Sequence, residues 1–174
     1  MAINLQKGQR IGIGLQKVGV GLGWDSNTGT GYDFDLDASA FMLGDNGKLP
    51  QDEFFVFYNN QHSPDNAVES SGDDLTGGNS DGGDDETLTV NLAEVDSRVQ
   101  EILFTVTIHD AEQRRQNFGQ VHNSYIRIYN ALTNEEIAKY ELDEDFSTET
   151  AVEFGRLYRH NGEWKFEAMG NGFK

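Results

Sequence analysis

Apolar and polar residues alternate with a period of two along most of the chain. The alternating segments are rich in β-branched and aromatic residues and are separated by turn residues, as is typical of strands. These segments are KVGVGLGW (17–24), FDLDASAFML (34–43), FFVFY (54–58), ETLTVNL (86–92), ILFTVTIH (102–109), SYIRIYNAL (124–132), EIAKYEL (136–142), TAVEFGRLYRH (150–160) and EWKFEA (163–168). Many short strands at such spacing predict an all-β protein, a two-sheet antiparallel β-sandwich.

Helical periodicity is confined to two short stretches, residues 92–100 and 110–118. The second stretch ends at Gly119, a residue type that commonly follows the last turn of a helix. So little helical signal disfavours an alternating β–α order with a parallel sheet. We therefore expect one or two short helices beside the sandwich.

The length of 174 residues suits a single domain over residues 1–174, and the chain has no cysteine. A core of this size needs no disulfide or metal staple to fold. We expect the larger aromatic side chains to fill the space between the sheets. They are Trp24, Phe41, Phe55, Phe57, Phe104, Tyr125, Tyr158, Trp164 and Phe166.

The net charge is -17, from 30 acidic and 13 basic residues. Such a balance repels phosphate backbones and anionic lipids, so we expect no direct binding to nucleic acid and no direct membrane insertion. The first residues lack the apolar run of a signal peptide, and no later run approaches the ~18 residues of a membrane span. These features predict a cytoplasmic protein for which cations are suitable ligands.

The acids are concentrated in the first half of the chain. Between Asp25 and Glu86 there are 15 acids and one base. Within this region a strand would place Asp33, Asp35 and Asp37 on one face at intervals of about 6.8 Å. Neighbouring carboxylates at that spacing repel by roughly 2 kcal/mol at an effective dielectric constant of about 20. Either a solvated face or a bound cation would relieve this repulsion.

A second acidic element spans residues 69–86, which contain seven acids, five glycines and no base. Its composition is that of a solvated, flexible loop. However, it lies between two predicted strands, and its acids form two groups that follow glycines. Glycine lets backbone carbonyls turn towards an ion, and calcium takes six to eight oxygen ligands in adaptable geometry. The groups are Asp73 with Asp74, and Asp84 with Asp85 and Glu86.

The side chains available as ligands favour calcium over other metals. Without cysteine or paired histidines, zinc and copper lack their usual ligands. Magnesium normally uses one or two carboxylates together with a phosphate, whereas the two acidic elements supply enough carboxylates for two calcium ions. The strand element is not an EF-hand, because Ala38 and Gly44 stand at the sixth and twelfth positions, where that loop needs Gly and Glu.

Several long motifs together resemble the TerD family of tellurium-resistance and general-stress proteins. They are GLGWD (21–25), FDLDASAFML (34–43), SPDNAVESSGDDLTGGNSDGGDDETLTVNL (63–92), TIHDAEQRRQNFGQV (107–121) and LYRHNGEWKFEAMGNGF (157–173). The resemblance implies a calcium-binding β-sandwich in the bacterial cytoplasm that acts in resistance to tellurite or other stress. It implies no enzymatic activity. Its acidic motifs fall on ten residues, which are the candidate metal ligands: Asp25, Asp33, Asp35, Asp37, Asp73, Asp74, Thr76, Asp84, Asp85 and Glu86.

Three functional classes follow from these observations. The favoured one is a calcium-dependent binding module whose partners are other Ter-family or stress proteins, or further copies of the chain. The second is a metal-dependent hydrolase or phosphotransferase that uses the DFDLD segment (33–37). The third is an acidic interaction protein without a specific metal. Stoichiometric calcium binding would identify the first class, and turnover of phosphate esters would identify the second. The third class predicts that divalent ions only screen the charge weakly, without stoichiometry.

Overall fold

The computed structural model describes residues 3–5, 8–14, 16–24, 36–57, 60–70, 86–108, 115–116, 125–133, 135–141 and 150–173. Twelve strands lie within these residues and form a β-sandwich, which confirms the predicted fold class. They are β1 (Ile3–Asn4), β2 (Arg10–Ile13), β3 (Lys17–Gly23), β4 (Leu36–Leu43), β5 (Phe55–Val56), β6 (Val68–Ser70), β7 (Glu86–Asn91), β8 (Glu101–Ile108), β9 (Tyr125–Asn130), β10 (Glu136–Glu141), β11 (Ala151–His160) and β12 (Glu163–Phe173).

The strands form two six-stranded sheets, which we call sheet A and sheet B. Sheet A has the order β1-β10-β9-β3-β7-β6, and sheet B has the order β2-β12-β11-β8-β4-β5. Neighbouring strands are antiparallel throughout these described strands, except for the short parallel pair β1 and β10. Within the described part of the chain, no helix has the length and apolarity that a membrane crossing requires.

Each predicted strand overlaps a strand of the structure, although β5 covers only two of residues 54–58 and β12 extends five residues beyond its predicted end. The expected helix over 92–100 is wrong. That stretch holds only a 3-10 turn at Leu92–Glu94, and a second 3-10 turn lies at Asp52–Phe54. The prediction over 110–118 lies outside the described residues, apart from Arg115 and Gln116. The alternation did not reveal β1, β2 and β6, because strands of two to four residues are too short to show a period.

Alternate residues of the long strands fill the space between the sheets. In β8, Ile102, Phe104, Val106 and Ile108 point inwards, and the intervening residues are half-buried. Of the nine aromatic residues predicted in the core, four are buried there: Trp24, Phe104, Trp164 and Phe166. The large apolar area removed from water by these side chains is the main stabilising contribution to the sandwich.

The other five aromatic residues are not core residues, which corrects the prediction. Phe41, Phe55, Phe57, Tyr125 and Tyr158 are half-buried. Phe41 alternates with the core residues of β4 and therefore faces away from the core. Its ring stacks on Phe55 with centroids 4.4 Å apart, and Phe55 stacks on Phe57 at 4.5 Å. The parity of each position in its strand decided these placements, since hydrophobicity alone did not distinguish the two faces.

An ionic cluster on the outer face of sheet B connects three strands. The Arg156 guanidinium of β11 donates to Glu167 on β12 at 2.8 Å and to Glu101 on β8 at 2.7 Å. Burial raises the pKa of the Glu167 carboxyl. The Arg156 hydrogen bond and the charges of Arg156 and Arg10 outweigh that effect and hold this pKa below its usual range. The ionised form of Glu167 is therefore more favourable in the folded state than in the unfolded chain.

Replacement of Arg156 by Gln is expected to lower the free energy of unfolding at neutral pH by about 1–2 kcal/mol. Because the pKa of Glu167 is depressed on folding, this contribution is present above the unfolded pKa and is lost as the pH falls through the folded pKa. Urea unfolding of both proteins at neutral and acidic pH would measure the difference. An Arg156→Gln effect that is equal at both pH values would contradict this account.

Candidate functional site at the acidic end of the sandwich

Most of the connections that run through residues outside the described ranges start and finish at one end of the sandwich. At this end β3 and β8 finish and β4, β7, β9 and β11 begin. The cross-strand partners that define it are Leu22 with Glu86 and Gly23 with Tyr125 in sheet A, and Leu36 with Ile108 and Ala151 with Thr107 in sheet B. We call it the acidic end, because the chain segments that start or finish here are the acid-rich ones.

Glu86 connects the two sheets at the acidic end. It is the first residue of β7, and it alternates with the core residues Leu88 and Val90, so its side chain points into the sandwich. The residue is 5% exposed, and its Oε1 accepts the backbone N–H of Ala38 on β4 at 3.0 Å. Ala38 precedes the part of β4 that pairs with β5, which begins at Ala40. A predicted metal ligand is thus also a structural link.

Asp37 lies next to this link on β4. It is 7% exposed, and it alternates with the core residues Leu36 and Ala38, so it belongs to the outer face of sheet B. Ser39 is also buried and shares that face, and Thr107 of β8 is the cross-strand partner of Asp37. Buried carboxylates require compensation by hydrogen bonds or positive charge. Asp37 and Glu86 are therefore both buried carboxylates near the start of β4, on opposite sides of sheet B, and each requires such compensation.

The other eight candidate ligands lie outside the described residues. They are Asp25, Asp33, Asp35, Asp73, Asp74, Thr76, Asp84 and Asp85. Residues 25–35 connect β3 with β4, and residues 71–85 connect β6 with β7. Ser70 at the end of β6 is the cross-strand partner of Leu88, so both segments leave and rejoin the described strands at the acidic end. The segments that contain these eight candidates are therefore attached at the end of the sandwich where Asp37 and Glu86 lie.

The fold adds a third acidic segment that the sequence analysis did not single out. Residues 142–149 connect β10 with β11, and they contain Asp143, Glu144, Asp145 and Glu149 without a base. Glu141 pairs with Tyr125, and Ala151 pairs with Thr107, so this segment also attaches at the acidic end. The composition of 142–149 was visible in the sequence, but its proximity to the other acids depends on strand pairing across the sheets.

The segments 25–35, 71–85, 109–124 and 142–149 together contain 14 acids and two bases. All four attach to the acidic end, because residues 109–124 join β8 to β9 there. A concentration of like charge at one end produces a strong local potential that raises the local concentration of cations. The strand topology, and not only the net charge, accounts for this potential.

Other acids in the same half of the chain have structural roles. One Oδ of Asp65 accepts the Ala67 N–H at 3.0 Å, and the other accepts the Asp96 N–H at 2.8 Å. The pKa of Asp96 is lowered to about 2, because its side chain accepts hydrogen bonds from the guanidinium and backbone N–H of Arg98. The carboxylates of Asp65 and Asp96 stabilise turns. An acidic side chain in this region is therefore not by itself evidence of a metal ligand.

The described residues do not by themselves form a complete metal centre. No group of three or more His, Asp or Glu side chains among them is placed to hold a metal ion. Asp37 and Glu86 contribute carboxylate oxygens, which are the ligand type that calcium prefers. Further oxygens would have to come from residues 25–35, 71–85 or 142–149.

The whole chain, residues 1–174, matches the model of the TerD domain family. The protein belongs to the TerD family. The tellurium resistance protein TerD of Serratia marcescens is 54% identical over 136 residues, which cover 78% of this chain and 70% of that protein. General stress protein 16U of Bacillus subtilis (strain 168) is 52% identical over 180 residues, which cover 100% of this chain and 92% of that protein.

A crystal structure supports the fold independently of close sequence similarity. A homologue of the telluride resistance protein TerD from Streptomyces coelicolor A3(2) superposes with a TM-score of 0.77 over 92% of each chain, at 22% identity. This similarity confirms the sandwich fold. It carries no information about ligands.

Proposed function

We propose that this protein is a calcium-binding stress-response module that acts in tellurite or general stress resistance. In this role Ca²⁺ neutralises the acidic end, orders its segments and so forms a surface for protein partners. The observation that carries the proposal is that the buried carboxylates Asp37 and Glu86 lie at the acidic end, where the acid-rich segments 25–35 and 71–85 join the described strands. The stress role is supported by the names of relatives in Serratia marcescens and Bacillus subtilis.

The proposal concerns binding and includes no catalytic step. Two ions are expected, because the two acidic elements supply enough carboxylates for two calcium sites. Suitable partners are other Ter-family or stress proteins and further copies of this chain. Because an ordered, neutralised surface forms only with the ion, partner binding is expected to depend on Ca²⁺.

Calcium at about one hundred times its dissociation constant is expected to add roughly 2.7 kcal/mol to the free energy of unfolding. For a chain of this size the melting temperature should rise by about 5–11 °C. Calorimetric titration of chelator-stripped protein would count the ions, and Mg²⁺ at the same concentration is the control. A small response that is equal for both ions and has no stoichiometry would favour an acidic interaction protein without a specific metal.

A double variant tests whether the strand and the loop share a site. Asp35→Asn with Asp84→Asn is expected to remove most of the specific calcium heat and leave the far-ultraviolet spectrum unchanged. The matched control is Asp45→Asn with Asp52→Asn, which changes the net charge equally at exposed positions between β4 and β5. An unaltered titration of the first variant would contradict the shared site. Phosphate-ester hydrolysis with Mg²⁺ that Asp33→Asn abolishes would replace the binding proposal with a catalytic one.

A further inference from the structure

Strand β2 forms an edge of sheet B. It pairs with β12 from Arg10 opposite Glu167 to Ile13 opposite Trp164. No described strand lies on its other side. An edge strand presents backbone N–H and C=O groups that can pair with another chain, so the direction of these groups in β2 determines what the edge offers.

The bonds beside the strand fix the direction of its backbone groups. The Gly8 N–H donates to the Ala168 carbonyl at 2.6 Å, and the Ala168 N–H donates to the Gln9 carbonyl at 2.9 Å. Both backbone groups of Ala168 therefore point towards the N-terminal segment. Because this direction alternates along a strand, the backbone groups of Phe166 and Trp164 point towards β2 as well.

The partners of Phe166 and Trp164 in β2 are Ile11 and Ile13. The N–H and C=O groups of Ile11 and Ile13 are thus used in the ladder with β12, whereas those of Arg10 and Gly12 point along the open edge. Gly12 and its neighbour Gly14 are exposed, and a Cβ built at Gly14 or Gly12 would meet no heavy atom within 4 Å. The space above this face of β2 at Gly12 and Gly14 is therefore open, so side chains of an added strand would not clash there.

At the opposite edge of sheet B, a side chain covers part of β5. Beside β5, the Asn60 side-chain amide donates to the Phe55 carbonyl at 2.8 Å and to the Glu53 carbonyl at 3.0 Å. These bonds occupy carbonyls that an added strand would need. Natural sheets commonly protect their edges with charge, proline or covering groups, so an open edge of four residues is a candidate for pairing.

The charge around β2 indicates the partner. On the outer face of sheet B beside this edge, Arg10 and Lys165, the β12 partner of Gly12, are basic and Glu167 is acidic, although the whole chain has a net charge of -17. The Arg10 side chain is 59% exposed; its Nε lies 3.4 Å from Glu167, and its guanidinium lies 5.9 Å from the centroid of the Tyr158 ring. A second copy would bring another strongly negative molecule and another basic strand. An acidic extended peptide complements this edge better.

We propose that β2 is a docking edge for an extended, acidic segment of a partner protein, which adds a strand to sheet B. Outward backbone groups of Arg10 and Gly12 pair with this segment, and Arg10 attracts its carboxylates. β2 pairs with residues 164–167, whereas β12 reaches the acidic end at residue 173, opposite Ala151. Docking at β2 therefore does not require calcium, unlike the surface under the proposed function.

The test uses an acetylated, amidated heptapeptide that alternates Val with Asp and Glu, and a matched peptide with Lys in place of the acids. Isotope-labelled protein is titrated with each peptide and followed by NMR. The acidic peptide is expected to shift the amides of Arg10 and Gly12 and to slow their hydrogen exchange by about tenfold at saturation. Its affinity should fall with salt and stay the same in chelator and in Ca²⁺.

Two variants separate charge from backbone pairing. Arg10→Gln is expected to weaken binding about twofold to fivefold, whereas Lys48→Gln removes an equal charge from an exposed loop and should change nothing. Gly12→Pro removes the outward N–H of Gly12 but breaks no hydrogen bond between β2 and β12. It should weaken peptide binding about tenfold. The amide chemical shifts of β12 report whether the Gly12→Pro variant is folded. If it is not folded, Arg10→Gln and the salt dependence of binding test the proposed docking edge.

Several outcomes would overturn the inference. Equal binding of the acidic and lysine peptides, or shifts confined to residues outside β2, would show that the edge does not select acidic strands. A concentration-dependent dimer in which the Gly12 amide is protected without peptide would place a second copy at the edge instead. Absence of calcium binding with intact peptide binding would overturn the proposed function alone.

Discussion

Replacement of Glu86 by Ala is expected to lower the free energy of unfolding by about 3 kcal/mol, even without calcium. The change removes the acceptor of the Ala38 N–H, and a buried donor left without an acceptor costs about 1–3 kcal/mol. It also removes buried methylene groups, each of which contributes about 0.8 kcal/mol. The melting temperature should fall by about 6–12 °C in chelator.

Glu86→Gln is the matched control, because its amide oxygen can still accept the Ala38 N–H at the same position. In chelator this variant should lose less than about 1 kcal/mol, while its stabilisation by Ca²⁺ should be smaller than that of the unmodified protein if Glu86 is a ligand. Thermal unfolding of the three proteins with and without Ca²⁺ separates the two roles. If Glu86→Ala and Glu86→Gln both lower the free energy of unfolding by the same small amount, the hydrogen bond between Glu86 and Ala38 contributes little to stability.

Replacement of Gly155 by Ala is expected to destabilise the protein by about 3 kcal/mol and to lower its melting temperature by about 6–12 °C. Gly155 lies at a register shift in β11, where its partners are Phe104 and Ala168. A Cβ at this position would overlap the buried ring of Phe166 and would lie 2.9 Å from the backbone carbonyl of Glu167. The ring fills the core and the carbonyl belongs to the sheet, so neither can move cheaply.

Gly14→Ala is the control for this substitution. A Cβ at Gly14 would meet no heavy atom within 4 Å, so its effect should stay within about 0.5 kcal/mol. Urea unfolding of both variants measures the difference. A Gly155→Ala protein as stable as Gly14→Ala would mean that the sandwich relaxes around the added methyl group.

The long strands were predictable because each buries one face, which imposes a period of two on its sequence. β8 shows this period in full, with every second residue buried. The hairpin between β11 and β12 was also encoded locally: Asn161 and Gly162 both have positive φ, 52° and 80°, as a tight two-residue turn requires. In contrast, β1, β2 and β6 were not predicted, because strands of two to four residues are too short to show a period.

The candidate site was partly predictable for a different reason. Carboxylates and glycines concentrated in two segments predict an oxygen-rich cation site from chemistry alone, and this site stays a prediction; of its residues the structure describes Asp37 and Glu86, which lie at one end of the sandwich. The sequence could not show that Glu86 also binds the Ala38 N–H, since the two residues are 48 positions apart. It also could not show that Asp65 is used in a turn, because that role depends on the backbone of Asp96.

The sequence by itself determined the class of fold, the long strands and the net charge, because local alternation and residue chemistry are written directly along the chain. Only the tertiary structure decided which residues share a location. Strand pairing brings the points where residues 25–35, 71–85 and 142–149 join the described strands to one end of the sandwich, and it leaves β2 without a described neighbour on one side. These contacts depend on register across two sheets, and register is set by the packing of the whole core.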